Sequence, residues 1–130
     1  MKGEKYFKQI EDYLLKVPRQ TRVHGQTIAH VGALIVYRGC ILALGHNQLK
    51  SHPLQADYKN YRIYLHAEMD ALRKALRSIG KEELAQCYLY VLRLKRGGRG
   101  WIRGCAKPCN DCMVVLVGFG LQEGRILWTM

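Results

Sequence analysis

The sequence predicts an α/β domain, and three observations carry that reading. Helix-period and strand-like segments alternate along the whole chain, the pattern that builds a sheet covered by helices. Residues 28–37 are apolar almost without a break, as in a strand buried on both faces. Two later helical segments each open on a residue that binds metals well, His66 in one and Cys109 in the other. A chain of 130 residues can bury one core, so residues 1–130 are expected to form a single domain.

Residues 4–16 read as an amphipathic helix. Tyr6, Phe7, Ile10, Tyr13, Leu14 and Val17 recur at three- and four-residue steps, and Pro18 closes it. Residues 19–27 are a polar, basic connection. The strand at 28–37 meets a tight turn at Arg38-Gly39 and returns over 40–44 as a hairpin, closed by Gly45-His46-Asn47. Residues 48–64 read as a long loop carrying Tyr58, Tyr61 and Tyr64, and loops of that length are often functional. The tyrosines suit packing on the domain edge or stacking on a base.

The second helix covers 65–79, with Leu65, Met69, Leu72, Ala75, Leu76 and Ile79 apolar, and Gly80 reads as its C-terminal stop. Arg73, Lys74 and Arg77 read as a basic face that is expected to be solvated rather than binding. A third strand covers 86–94. Residues 95–107 read as a flexible loop, with Gly97, Gly98, Gly100 and Gly104 around Trp101. Arg93, Lys95, Arg96, Arg99, Arg103 and Lys107 make this stretch strongly basic, and no acid interrupts it. Cations, an aromatic ring and glycines together suit a grip on phosphate and base. Trp101 is therefore expected to stack on a substrate, and Arg103 to meet it. A third helix covers 109–119 and a last strand 125–129.

Lys and Arg number 21 against 10 acids, a net charge of +11. Such a surplus favours polyanions or phosphorylated substrates. No apolar run approaches the length of a membrane span. The opening residues mix acid and base without an apolar stretch, so no signal peptide is expected. Five cysteines is an odd number. Cys40 and Cys87 fall in strand-like stretches and are expected as buried, reduced thiols, which suits a cytoplasmic protein.

The chemistry lies in His66-Ala67-Glu68 and Pro108-Cys109-Asn110-Asp111-Cys112. Spaced as H-x-E and P-C-x-x-C, they form the signature of zinc nucleobase deaminases. Catalytic zinc takes three protein ligands and leaves a fourth position for water. His66, Cys109 and Cys112 would supply them, for one Zn²⁺ per chain. Cys109 and Cys112 lie three apart on one helix turn, and Pro108 suits the start of that helix. Glu68 would move protons between water and the leaving amine. A structural zinc site would need a fourth donor, for which Cys105, His24, His46 and His52 are available, and a redox C-x-x-C is the other alternative.

The order of elements and the segments Val31–Val36, Gly45-His46-Asn47, H-A-E and P-C-x-x-C together resemble the cytidine deaminase superfamily over nearly the whole chain. The resemblance implies a three-layer fold, a mixed sheet of about four strands between helices, with both zinc helices on one face. It implies His66, Cys109 and Cys112 as zinc ligands and Glu68 as proton shuttle. It also implies Asn47 on the sugar or base and the Ala67 backbone against the base. Histidine in H-A-E is similar to the deoxycytidylate and tRNA adenosine branches. The tyrosine-bearing insertion, and a sequence that stops at Met130 without the further helix of the tRNA branch, favour deoxycytidylate. The expected substrate is a cytidine or deoxycytidine nucleotide, with the basic loop and Lys50 or His52 at its phosphate. A base in single-stranded DNA or RNA is the alternative. A homo-oligomer is expected from an open sheet edge.

Overall fold

The structure, a computed structural model, describes residues 3–17, 30–48, 65–98 and 100–130. Expectations for His24, Lys50, His52, Tyr58, Tyr61, Tyr64 and Arg99 lie outside the described residues.

The described elements run α1 (Glu4–Leu14), β1 (His30–Tyr37), β2 (Cys40–His46), α2 (Ala67–Ala75), a single turn α3 (Lys81–Leu84), β3 (Tyr88–Gly97), β4 (Gly100–Gly104), α4 (Asn110–Gly118) and β5 (Ile126–Trp128). The sheet order is β2-β1-β3-β4, and β5 pairs with β3. Pairing is antiparallel except between β3 and β5, so the sheet is mixed. It has five strands where about four were expected.

Strand alternation sorts the core into two layers. Ala33, Ile35, Leu89 and Val91 face α2 and α4, packing with Met69, Leu72, Val115 and Leu116. Leu34, Val36, Leu92 and Leu94 face the opposite way, onto Phe7, Ile10 and Leu14 of α1. Both helices that carry the metal-binding motifs thus lie on one face, as expected. The β1–β2 turn places Arg38 at φ 50° and Gly39 at φ 78°, the left-handed pair that a two-residue hairpin requires. At Gly45 the strand touches α2 directly: a Cβ there would lie 2.7 Å from the Ala67 carbonyl oxygen.

Four expectations are corrected. Residues 95–107 are largely a hairpin rather than a loose loop: β3 runs on to Gly97, and Gly97 pairs with Gly100 across the turn. The glycines make the turn, while Trp101, Ile102 and Arg103 keep strand alternation. Cys40 is exposed, because it pairs with Tyr37 at the hairpin end, whereas Cys87 is buried. Gly80 has φ −98° and caps the start of α3, its N–H donating to Glu83 Oε1 at 3.0 Å. Cys109 is the N-cap of α4, so Pro108 precedes that helix.

Candidate metal centre and active site

Two helix starts meet on the α2/α4 face of the sheet. His66 is the N-cap of α2, with extended backbone at φ −73° and ψ 151°. Cys109 is the N-cap of α4, and its thiol accepts the Cys112 N–H at 3.5 Å. Cys112 is buried one turn into the same helix. His66 Nδ1 lies 3.8 Å from Cys109 Sγ and 3.2 Å from Cys112 Sγ.

A local pairing holds this arrangement. Gln48 and Leu65 exchange both backbone hydrogen bonds, at 3.0 and 2.7 Å. Asn47 and His66 flank that bridge, so the end of β2 and the start of α2 are fixed together. The Asn47 side chain is itself held, since the Val31 N–H donates to its Oδ1 at 3.1 Å. Asp70, fully buried on α2, ties the same corner. It accepts from the His46 N–H at 3.0 Å, from Arg73 at 2.6 and 2.7 Å and from Lys74 at 3.2 Å.

The donor set fits zinc. The ligand atoms of His66, Cys109 and Cys112 all lie within 4.8 Å of one another. Ordinary zinc–nitrogen and zinc–sulfur bonds in a tetrahedron set nitrogen and sulfur about 3.6 Å apart, between the two observed distances. The Cys109 thiol is pushed down to about 4, mainly by its hydrogen bond with Cys112 and also by His66, with burial opposing. A thiolate is the form that binds metal. Two helix N-termini aimed at the cluster add positive potential. Among the described residues no fourth protein donor joins the group. Cys105 lines the neighbouring cavity outside the cluster, and Tyr13 OH lies 2.9 Å from His46 Nδ1.

One cavity opens beside the cluster, lined by Val31, Asn47, His66, Ala67, Glu68, Arg93, Cys105, Ala106, Lys107 and Cys109. Five residues expected at the site therefore share one wall: Asn47, His66, Ala67, Glu68 and Cys109. Glu68 is almost completely buried there.

Trp101 and Arg103 are not brought to this cavity. They line a separate recess on the α1 face with Glu11, Leu15 and Leu94. Arg103 forms ion pairs with Glu4, at 2.6 Å, and with Glu11. Trp101 stands against His30 and under the Arg96 guanidinium, 4.9 Å from its ring centre. The cause is register. Trp101 and Arg103 are two apart on β4, opposite Arg96 and Leu94 of β3, so they share the α1 side. Sequence reasoning grouped the cations without sorting them by strand parity, and so passed over Arg93 and Lys107 as lining residues.

Residues 8–127 match the family model described as the cytidine and deoxycytidylate deaminase zinc-binding region. The chain belongs to the cytidine and deoxycytidylate deaminase family. The zinc-dependent hydrolytic removal of an amine is the chemistry of that family. Among solved structures, the chain is similar to the dCMP deaminase of cyanophage S-TIM5 in complex with dCMP and dUMP. The identity is 22%, the TM-score 0.57, and the match covers 98% of this chain and 82% of that one. The apo form of the phage enzyme matches at 21% identity and TM-score 0.49, over 99% of this chain and 100% of that one. At this identity the likeness to the complex shows a shared fold. No curated protein sequence matches the chain.

Proposed function

We propose that this deaminase converts cytosine to uracil in a cytidine or deoxycytidine monophosphate, with dCMP as its preferred substrate. The observation that carries the reading is one cavity lined by Asn47, His66, Ala67, Glu68 and Cys109, beside the His66–Cys109–Cys112 donor cluster. His66, Cys109 and Cys112 hold the metal. When bound there, zinc supplies a Lewis acid that makes water acidic enough to ionise near neutral pH. Glu68 accepts the water proton and delivers hydrogen to N3 of the ring and then to the departing amine. Water adds its oxygen at C4, ammonia leaves, and the carbonyl of uracil remains. The Asn47 amide holds the sugar or base, and the Ala67 backbone borders the ring.

The phage enzyme that shares the fold was crystallised with dCMP and dUMP, which supports a nucleotide for this chain. The net charge of +11 supports a second reading, deamination of a base, cytosine or adenine, within single-stranded DNA or RNA. Ammonia release from purified, zinc-loaded protein separates the two. Turnover of dCMP without turnover of oligomers is expected, and turnover of oligomers alone would overturn the nucleotide reading.

We also propose a homo-oligomer in a reducing cytoplasm. The outer face of α4 carries Val114 and Val117, exposed at 59% and 47%, and exposed apolar patches invite association. Among the described residues no helix is long and apolar enough to cross a membrane.

A further inference from the structure

The cavity beside the donor cluster has a charged rim that proton transfer at the base does not use. Arg93 and Lys107 line it, and both are exposed. Among the described residues neither has an acid partner. Three other cations are held by acids: Arg73 and Lys74 by Asp70, and Arg103 by Glu4 and Glu11.

Backbone register aims the rim. Arg93 follows Val91 on the α2/α4 side of β3 and stands opposite Gly104 of β4. A Cβ at Gly104 would lie 3.2 Å from Lys95 Cδ and 3.5 Å from Arg93 Cδ. The missing side chain at 104 is the seat on which both stems lie. Thr129 fixes this seat, for its hydroxyl donates to the Gly104 carbonyl at 2.6 Å and accepts from the Arg93 N–H at 3.4 Å. Its carbonyl accepts from the Ala106 N–H at 2.9 Å, next to Lys107.

We infer that Arg93 and Lys107 form a phosphate subsite, taking the 5′-phosphomonoester of the nucleotide whose base reaches Glu68. This rests on the nucleotide reading above. A guanidinium can grip a phosphate through two donors, and a lysine adds a point charge. A phosphomonoester carries between about −1.5 and −2 at neutral pH, so two cations match it better than they match one diester. Among the described residues, Trp101, the ring expected to stack on a base, stands on the opposite face of the sheet.

The test is an Arg93→Gln, Lys107→Gln double variant, with zinc content and melting behaviour confirming that it folds. The preference for dCMP over deoxycytidine in kcat/KM should fall by about 100-fold, mostly through KM, from two lost charge-assisted contacts. Arg93→Lys alone should keep part of that preference. An unchanged preference overturns the inference. A second arm reads the subsite without turnover, by titrating inorganic phosphate. Wild type should bind it saturably and the double variant should not. No saturable binding to wild type overturns the subsite. If wild type binds phosphate yet deaminates no free nucleotide, the subsite stands and the nucleotide reading falls. A double variant that keeps phosphate binding but loses affinity for an oligonucleotide without a 5′-phosphate would instead assign these cations to a nucleic-acid backbone and overturn the inference.

Discussion

His66 and Cys109 hold matching places, each the last residue before a helix. An N-cap has extended backbone; the Cys109 thiol accepts the Cys112 N–H as a cap side chain does, while the His66 ring makes no cap hydrogen bond and lies against the two thiols. This explains why the metal site was legible in short sequence spacing, and why Cys112, one turn on, completes it. Cys112→Ser should cost most of the bound zinc, read as metal per chain after dialysis. The folded-state pKa of Cys109 lies below its ordinary value of 9.0, at about 4. Folding therefore favours the thiolate. That contribution is in place above the ordinary value and is lost as pH falls through about 4. In metal-stripped protein, alkylation of Cys109 at about pH 6 should be far faster than that of an ordinary thiol. A rate no different from that of exposed Cys40 would contradict it.

The elements are held in place by contacts that no local pattern reveals. Asp70 sits in a helix turn that read simply as amphipathic, yet it is wholly buried and joins α2 to the end of β2. Losing one partner of a buried charge network costs about 3–5 kcal/mol. Asp70→Ala should therefore lower the melting temperature sharply, and a variant that melts with wild type would show that the network does not hold the corner. The β3–β4 hairpin gives the complementary lesson. Its cations and glycines were plain in the sequence, and its nearness to Pro108-Cys109 was correctly inferred. Which cations reach the cavity depends on strand parity, and parity depends on a pairing register the sequence does not state. Arg93 lines the cavity and Arg103 reaches α1, although Arg103 lies nearer Cys109 in the chain.

Across the molecule, α1 forms one layer, the sheet the second, and α2 with α4 the third. That architecture was legible because the three longer helices and most strands carry their own period and the motif segments fix their order, although the single turn α3 was not foreseen. The fifth strand was missed because β4 is short and set among glycines. The cations of the β3–β4 hairpin are split between the two faces: Arg103 serves α1, while Arg93 stands at the cavity with Lys107. The positive charge of the whole surface still predicts a general, weak attraction to nucleic acid. Affinity for a single-stranded oligomer should be weak and fall steeply with salt, and tight binding insensitive to salt would argue for a dedicated polymer site.

The central claim is that Glu68 moves the protons of a deamination carried out beside His66, Cys109 and Cys112. The most direct test compares ammonia release from dCMP by wild type and by Glu68→Gln at equal zinc content. The account predicts a loss of about 10²- to 10⁴-fold in kcat, the usual share of a positioned acid–base group, with zinc retained. A Glu68→Gln protein that releases ammonia as fast as wild type would contradict it.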